Sequence, residues 1–331
     1  MEERPGEGRH PYDALTPDLL LDAVESVGYR ASGRLLALNS YENRVYQVEL
    51  EAGGYLVAKF YRPGRWSDEA ILEEHAFSLA LAEAEIPVVA PLRREGESLF
   101  RHAGFRFALF PRVGGRWPDL EREEDLRWMG RYLGRIHAVA AGGAFRHRPL
   151  LSPQRLGRES VGWLLESGFI PTELREAWGT LAEALMEVVE SRWAMVEPEG
   201  LRLLGDCHRG NILWSEEGPR FVDLDDAATG PAVQDLWMLL DGDRPAMQRQ
   251  LGIILDEYTL FHDFDPRQLS LIEPLRTLRM IHYSAWLARR WDDPAFPRSF
   301  PWFGESRYWD EQILALREQQ DRLLNEPPLI W

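Results

Sequence analysis

The chain has 331 residues, 45% of them hydrophobic and 28% charged, which is usual for a globular enzyme and enough for two units with separate cores. Its net charge of −16 argues against a nucleic-acid-binding protein, because no basic stripe offsets the acidic residues, while a cationic small-molecule substrate stays open. The single cysteine, Cys207, excludes a disulfide framework, and no run of about 18 apolar residues predicts a membrane span, so we expect a cytoplasmic protein without a membrane partner.

The first elements predicted along the chain are a helix and a β-hairpin. Thr16, followed by proline, is typical of a helix start, and Gly28 is typical of a helix end. Residues 44–50 and 55–61 alternate in polarity and are rich in β-branched and aromatic side chains, which predicts two strands. The glycine pair at 53–54 lies between them and predicts the hairpin turn.

Beyond the hairpin, the pattern completes a small sheet and then becomes helical. A helix is expected between Ser67 and Pro87, and further strands run through 105–110. We therefore expect an α+β fold, in which residues 1–111 form a small antiparallel-sheet lobe and residues 112–331 form a mostly helical lobe. The later helices are predicted at about 155–195, 231–240, 245–262 and 267–291.

Polar residues are concentrated at one break in the helical pattern, between positions 201 and 224. Asp206 and Asn211 lie on a glycine-containing turn, where an aspartate can accept a proton from an attacking hydroxyl. Asp223 follows a second apolar strand, and a hairpin would bring it to the same end as Asn211, where an amide oxygen and a carboxylate suit Mg²⁺. The alternative is a surface turn capped by Asp and Asn, which the fixed order of both fragments between apolar strands disfavours.

The order of these residues resembles a known superfamily. D-x-x-x-x-N, followed by D-x-D after a strand and preceded far upstream by a strand lysine, is similar to the protein-kinase-like phosphotransferases, and most of all to their aminoglycoside and choline kinase branch. Within that branch, the chain resembles the bacterial stress response kinase A family in five blocks between residue 39 and about 302. The blocks are S-Y-E-N-R-V-Y-Q, V-A-K-F-Y-R-P-G-R-W, G-D-C-H-R-G-N-I-L-W, F-V-D-L-D-D-A and R-R-W-D-D-P-A-F-P.

The resemblance implies a bilobal protein-kinase-like fold with ATP bound between the lobes. It makes Asp206 the catalytic base that orients and deprotonates a Ser or Thr hydroxyl. Asn211 and Asp223 become the Mg²⁺ ligands, and Lys59 becomes the strand lysine that binds the phosphates of ATP.

Three further residues are expected to serve ATP by the same resemblance. Ser40 would lie over the phosphates, where ordinary kinases have a glycine-rich loop. Glu74, in the helix after Ser67, would hold Lys59 by an ion pair, although Glu73 is a close rival because one residue of helix register decides between them. Phe110 belongs to the segment 107–111, which would contact adenine through backbone groups.

Lys59 is the only lysine of the chain, and every other one of the 38 Lys+Arg positions is arginine. A lysine is a compact point charge on a thin stem, whereas an arginine is a wide planar fork. A site between two phosphates and a glutamate needs the smaller cation, so it should keep lysine in a chain that has otherwise drifted to arginine. This interpretation is favoured over chance survival because the lysine lies in a V-A-K strand upstream of the D-x-x-x-x-N pattern.

Several residues in or near the 201–224 loop are interpreted as supporting its structure and not as taking part in the chemistry. Leu204 stands where the family usually has histidine, and we expect it to support the loop by packing. Asp235 is expected to accept backbone hydrogen bonds from the loop, and His137 is expected to brace it from the core. Cys207 is interpreted as a packing residue, since nothing near it in sequence suggests an activated thiolate. His208 could contact the transferred phosphate or support the loop.

The predicted function is an ATP-dependent serine/threonine protein kinase of the bacterial stress response type, with Mg²⁺ as cofactor and possible autophosphorylation. A small-molecule kinase for an amino alcohol, sugar or aminoglycoside is the main alternative, because the same loop serves both acceptors. A third hypothesis is a nucleotide-binding pseudokinase. It is favoured by Leu204 in place of the usual histidine and disfavoured by the intact Asp206, Asn211 and Asp223. The sequence does not fix the oligomeric state, and a monomer is favoured.

Overall fold

The structure is a computed structural model that describes residues 12–331. The chain divides into two compact units, of which the first ends at Gly114 and the second runs from Gly115 to Trp331. This division falls inside the segment 111–118, which is rich in proline and glycine. The first unit contains the antiparallel sheet and the second is mostly helical, which confirms the α+β class.

Within residues 12–114, the first unit is one five-stranded antiparallel sheet with two helices. The strand order is β1-β2-β3-β5-β4, so that β3, which carries Lys59, lies in the middle of the sheet. Its elements are α1 (Pro17–Ser26), β1 (Ala31–Ala37), β2 (Arg44–Leu50), β3 (Tyr55–Phe60), α2 (Asp68–Glu83), β4 (Phe100–His102) and β5 (Phe105–Pro111).

The local signals in this unit act as the sequence predicts. The hydroxyl of Thr16 accepts a hydrogen bond from the backbone N–H of Leu19, and the hydroxyl of Ser67 accepts one from Ala70, which caps α1 and α2. The hairpin turn between β2 and β3 holds Gly53 at a φ of +86° and its neighbour at +85°. Glycine adopts this region without steric cost, so the pair fixes the register of β2 against β3.

The second unit contains eight α-helices and two short antiparallel strand pairs, of which only one is a hairpin. β6 pairs with β9, and β7 pairs with β8, in both cases antiparallel. The elements are α3 (Glu123–Ala140), α4 (Glu159–Ser167), α5 (Thr172–Val196), β6 (Leu201–Leu203), β7 (Ile212–Ser215), β8 (Gly218–Phe221), β9 (Ala228–Gly230), α6 (Gln234–Trp237), α7 (Arg244–Tyr258), α8 (Ile272–Ala288), α9 (Ala295–Ser299) and α10 (Ser306–Asn325).

Two of the predicted helices differ from the structure. The segment 155–195 is not one helix, because Gly168 adopts the left-handed conformation at the end of α4 and Pro171 precedes the start of α5. A π-helical turn, Gln154–Arg158, leads into α4. The segment 231–240 forms only the single turn α6, which is flanked by turns. The glycine and the proline were visible in the sequence, so the first break could have been predicted.

The main core of the second unit lies among α5, α8 and α10. Trp178 and Trp309 are almost fully buried and meet edge to face with ring centroids 6.1 Å apart. Leu278 and Phe303 are buried in the same cluster. This core holds α8 rigidly in place, which matters because α8 carries an arginine that reaches the candidate site. Within residues 12–331, no helix has the length and apolarity that a membrane crossing requires.

Candidate active site

The site in the second unit is built on the loop between β6 and β7. The loop is anchored at its start because β6 pairs with β9, with Leu203 opposite Ala228. Gly205 then turns the chain with a φ of +85°, and a Cβ at this position would lie 2.0 Å from the carbonyl oxygen of Asp226. Only glycine fits, because both the backbone angle and the close approach exclude a side chain. The side-chain amide of Gln234 donates a hydrogen bond of 2.8 Å to the carbonyl oxygen of Gly205.

Asp235 holds the backbone of the loop by hydrogen bonds from the buried side. Its two carboxylate oxygens accept the N–H groups of Leu204 and Gly205 at 2.8 and 2.9 Å. The carboxylate also lies 3.2 Å from Nε2 of His137, whose Nδ1 lies 2.7 Å from the hydroxyl of Tyr258. All of these side chains are buried, and burial together with the charge of Asp235 raises the pKa of Tyr258 far above its usual value. The predicted support roles of Asp235 and His137 are confirmed, and Leu204 is buried as expected.

Asp206 points both of its carboxylate oxygens at cationic or proton-donating groups. Oδ1 accepts a hydrogen bond of 2.6 Å from a guanidinium nitrogen of Arg279, and Oδ2 lies 3.3 Å from Nε2 of His208. Nδ1 of His208 accepts the N–H of Gly210 at 2.9 Å, so Nε2 carries the proton that faces Asp206. Burial alone would raise the pKa of Asp206, but the hydrogen bond of His208 and the charge of Arg279 lower it to about 2. Asp206 is therefore ionised at any physiological pH.

Asn211 and Asp223 lie at the same end of the β7–β8 hairpin. The backbone N–H of Val222 donates a hydrogen bond of 3.0 Å to the carbonyl oxygen of Asn211, so Asp223 follows directly after the last pairing. The side-chain N–H of Asn211 donates to the backbone carbonyl of Asp206 at 3.1 Å, which leaves its Oδ1 as the acceptor atom. Asp223 is exposed and adopts a left-handed conformation with a φ of 56°. The structure thus brings Asp206 and Asn211 into one hydrogen-bonded loop, with Asp223 beside Asn211.

This donor set fits a magnesium ion that is bound mainly by the substrate. Within residues 12–331, no three side chains of histidine, cysteine, aspartate or glutamate converge in a way that could hold a metal alone. Mg²⁺ usually keeps several waters and takes one or two protein oxygens together with phosphate oxygens. One carboxylate, Asp223, and one amide oxygen, that of Asn211, meet that need. The metal role of both residues stays a prediction.

Two arginines of the site escape sequence reasoning. Arg279 comes from α8, 73 residues after Asp206, and nothing in its local sequence names its partner. Arg148 is buried, and its guanidinium donates to the carbonyl oxygen of Ala227 at 2.8 Å and to that of Asp225. It therefore holds the turn that follows Asp223. An arginine between apolar residues in H-R-P-L-L is a weak signal for such a role, because arginines elsewhere in the chain are mostly exposed.

Cys207 follows Asp206 and is 2% exposed. Burial raises the pKa of its thiol well above the usual value, and the charges of Asp235 and Asp206 add to the effect. We therefore expect the native protein not to react with a thiol reagent such as Ellman's reagent at pH 8. The same sample in denaturant should release one equivalent of chromophore, since the chain has one cysteine. Rapid reaction in native buffer would contradict the packing role.

In the first unit, Lys59 lies on β3 opposite Val45 of β2 and Ala108 of β5. The lysine is 5% exposed and its ammonium lies 5.4 Å from the ring centroid of Tyr61. Glu74 on α2 is 3% exposed, whereas Glu73 is half-buried. Buried charges are stable in proteins only when they are paired, so the burial of Glu74 favours it over Glu73 as the partner of Lys59.

Ser40 lies in the turn between β1 and β2, and the residues after it anchor that turn. The side-chain oxygen of Asn43 accepts the backbone N–H of Arg62 at 3.1 Å, and Asn43 is buried. The hydroxyl of Tyr12 donates to the carbonyl oxygen of Glu42 at 3.2 Å. Only the resemblance singled out this turn, and the anchoring roles of its buried polar residues were missed. The ATP role of Ser40 stays a prediction.

Phe110 lies inside β5, opposite Val57 of β3, and not in a connecting segment. The N–H of Tyr61 bonds to the carbonyl of Arg106, and antiparallel pairing repeats such bonds at every second residue, so the backbone groups of Phe110 are engaged with β3. The chain leaves the strand after Pro111. A backbone contact to adenine would therefore come more easily from the residues around Phe110 than from Phe110 itself, whose role stays a prediction.

Comparisons by family profile, by sequence relatives and by solved structures all find phosphotransferases. The sequence profile of the phosphotransferase enzyme family matches residues 34–272. Stress response kinase A of Escherichia coli strain K12 is 46% identical over 318 residues, which covers 96% of both chains. A relative from Salmonella typhimurium strain LT2, named serine/threonine protein kinase RdoA, is 43% identical over the same 96% of each chain.

Among solved structures, the amicoumacin kinase hAmiN, in complex with AMP-PNP, Ca²⁺ and its ligand Ami, superposes with a TM-score of 0.70. The superposition covers 93% of each chain at 16% identity, so it speaks for the fold alone. It confirms the predicted kinase-like fold. The family profile and the two relatives together show that the chain belongs to the stress response kinase A family, within the phosphotransferase enzyme family.

Proposed function

We propose that this kinase transfers the γ-phosphoryl group of Mg-ATP to serine or threonine hydroxyls of proteins. The observation that carries the protein acceptor is the relative named as a serine/threonine protein kinase, whose sequence matches along 96% of both chains. The ionised Asp206, held on a rigid loop beside Asn211, supplies the chemistry that any alcohol acceptor needs. The reaction takes place in the cytoplasm, where ATP is available. The enzyme itself is among its acceptors.

In this mechanism, Asp206 accepts the proton of the attacking hydroxyl. Each of its oxygens already has one partner, Arg279 or His208, so the acceptor hydroxyl shares the carboxylate with these groups or displaces one of them. Lys59 holds phosphate oxygens of ATP, and its ion pair with Glu74 fixes the ammonium in position. Asn211 and Asp223 would hold Mg²⁺, which neutralises charge that develops on the phosphate oxygens. Most of the rate enhancement comes from positioning and from electrostatics, because the protein forms no covalent bond to the phosphoryl group.

A small-molecule acceptor is the second candidate. It is favoured by the solved structures with this fold, since that of amicoumacin kinase was determined in complex with a small ligand and an ATP analogue. The catalytic loop does not separate the two, because it deprotonates an alcohol in either case. The pseudokinase alternative is weakened by the intact Asp206, Asn211 and Asp223 and by the confirmed support of the loop by Asp235.

Phosphate incorporation from labelled ATP distinguishes these candidates. Purified protein with Mg²⁺ is offered a basic and an acidic generic protein, ethanolamine, choline and an aminoglycoside. We expect label in the proteins, and in the kinase itself when no acceptor is added. Label in an amino alcohol or an aminoglycoside, with none in protein, would contradict the proposal in favour of a small-molecule kinase. No label in any acceptor would support the pseudokinase.

Replacing Lys59 by arginine should lower kcat/KM by about 10²-fold, similar to the loss of other electrostatic clamps. The positive charge remains, but the planar guanidinium cannot occupy the space of an ammonium between phosphate oxygens and Glu74. Steady-state kinetics with a peptide acceptor measures the loss. The matched control is Lys59→Met, which removes the charge and should be at least as impaired. Full activity of Lys59→Arg would show that the single lysine survived by chance.

A further inference from the structure

One face of α8 carries two arginines with a histidine between them, in a row that starts at the candidate base. Arg279, His282 and Arg289 are spaced by three and seven residues, which places them on one side of the helix. Arg279 is 48% exposed and reaches Asp206, while Arg289 is also exposed. The row therefore runs along the surface away from Asp206, in the direction of the C-terminal end of α8.

The segment packed against this face adds a further arginine. The π-helical turn Gln154–Arg158 and α4 lie against α8, and the hydroxyl of Ser160 lies 3.1 Å from Nδ1 of His282. Arg289 donates to the carbonyl oxygen of Glu159 at 3.2 Å, and its guanidinium lies 5.3 Å from the ring centroid of Trp163. Arg155 is exposed on the π-helical turn. We call Arg155, Arg279 and Arg289 the basic face.

Two of the three arginines of this face, Arg155 and Arg289, are not neutralised by a carboxylate, whereas Arg279 is paired with Asp206. No carboxylate oxygen within residues 12–331 lies within 4.0 Å of a guanidinium nitrogen of Arg155 or Arg289. Burial lowers the pKa of His282 to about 4, and the charges of Arg289, Arg155, Arg290 and Arg279 act in the same direction. Partial burial lowers the pKa of Arg289, while the charge of Glu159 raises it and the repulsion of Arg155 lowers it by a smaller amount. A chain with a net charge of −16 thus carries two arginines without a carboxylate partner on the helix face that begins at its candidate base.

We propose that the basic face selects the acceptor, and that the acceptor is an acidic peptide segment with a carboxylate side chain next to the phosphorylated serine or threonine. This inference rests on the proposed function and names its substrate class. The acidic side chain replaces Asp206 as the partner of Arg279. Oδ1 of Asp206 is then free to accept the proton of the acceptor hydroxyl, whose oxygen bonds to the γ-phosphorus while ADP leaves. Arg155 and Arg289 bind further acidic residues of the same segment.

The same geometry disfavours a cationic acceptor. An aminoglycoside or an amino alcohol would place an ammonium group against Arg279, whose guanidinium contacts Asp206. Like charges at short range weaken binding, and a buried neighbour such as His282 offers no counter-charge. The acidic net charge of the whole chain, taken alone, would suggest the opposite preference. The local field at the acceptor decides, because charges beyond about 10 Å are screened at ordinary ionic strength.

The test compares short peptides with one central serine that is flanked by aspartates, alanines or arginines. For the parent enzyme we expect kcat/KM to be about tenfold higher for the acidic peptide than for the alanine peptide, mostly through a lower KM, and lowest for the arginine peptide. The double variant Arg155→Gln/Arg289→Gln should lose most of this preference and keep its rate on the alanine peptide. The matched control is Arg317→Gln, an exposed arginine on α10 among acidic side chains, which should keep the full preference.

A binding measurement makes the test independent of turnover. An acidic peptide with alanine in place of serine should bind the parent enzyme in fluorescence anisotropy, and the double variant should bind it about tenfold more weakly. Equal binding of acidic and basic peptides, or equal rates on both, would overturn the inference while leaving a protein kinase in place. Rapid phosphorylation of ethanolamine with no phosphorylation of any peptide would instead contradict the proposed function. In that case ethanolamine, which is cationic, would be compared with glycerate, which is an anionic alcohol of similar size. A preference for ethanolamine would then also overturn the inferred preference for anionic acceptors.

Discussion

Asp206→Asn is expected to lower kcat by about 10³-fold, within the range that general base catalysis contributes, while ATP binding stays close to that of the parent. An asparagine keeps the size of the side chain and can still accept the hydrogen bond of Arg279, so the loop should remain in place. It cannot accept the proton of the acceptor hydroxyl. Initial rates with saturating ATP, together with binding of a fluorescent ATP analogue, measure the two effects separately.

The matched control for this variant is Asp265→Asn. Asp265 is also an aspartate that caps a turn and has a pKa lowered by an arginine, Arg267, but it lies at the start of the turn Pro266–Leu271. It should keep its activity. If Asp206→Asn turned over at the parent rate, Asp206 would not be the base. A loss of activity in Asp206→Asn but not in Asp265→Asn would show that removing one arginine-paired carboxylate is not by itself the cause.

The variant Asp206→Asn also tests the pKa of Asp206. The folded-state pKa of about 2 lies below the ordinary value of about 3.9 in an unfolded chain, so ionised Asp206 stabilises the fold above pH 4. This contribution, roughly 2 kcal/mol, is lost as the pH falls through the folded-state pKa. The free energy of unfolding of the parent should therefore approach that of Asp206→Asn between about pH 4 and pH 2. A difference that is constant over this range would contradict the lowered pKa.

Gly205→Ala is expected to lower the melting temperature by about 10 °C and to abolish most of the activity. The left-handed conformation costs an alanine roughly 1–2 kcal/mol. The larger cost is steric, because the new methyl group would lie 2.0 Å from the carbonyl oxygen of Asp226, which is backbone and cannot rotate away. The loop would have to move, which would take the N–H groups of Leu204 and Gly205 away from the carboxylate of Asp235. Calorimetry and the initial rate with a peptide acceptor measure the outcome.

Gly252→Ala is the control, since this glycine lies inside α7 and a Cβ there would meet no heavy atom within 4 Å. It should raise stability slightly, by up to about 1 kcal/mol, through the higher helix propensity of alanine. Loosening of the loop in Gly205→Ala should also expose Cys207, so its thiol should react in native buffer. Parent stability and an unreactive thiol in Gly205→Ala would show that the loop does not need this close approach.

Much of the first unit could be predicted because its signals are local. The cap formed by Thr16, the cap formed by Ser67 and the glycine pair at 53–54 each act within a few residues, so their effect can be read from neighbouring positions. The choice between Glu73 and Glu74 could not be made in this way. It depends on how far α2 is rotated about its own axis against the sheet, which packing decides and the helical period alone does not.

In the site, too, features set by neighbouring residues could be predicted, and contacts between distant parts of the chain could not. The hairpin that brings Asn211 next to Asp223 follows from two apolar strands in sequence, and Asp235 could be predicted as a loop acceptor from its apolar surroundings. Arg279 could not, because its contact with Asp206 depends on the packing of α8 into the core of the second unit. A break in the long helix at Gly168 was predictable and was missed, since the apolar period continues across it.

The burial of Lys59 in the middle strand of the sheet has a practical consequence. Acylating reagents that select ε-amino groups find one such group in this protein, and it is shielded from water. In a lysine-rich enzyme, reaction at many surface amines would obscure a single slow site, whereas here an acyl group added at Lys59 reports an opening of β3. The rate of labelling, with and without nucleotide, would therefore measure how often β3 opens enough to expose Lys59 to the reagent.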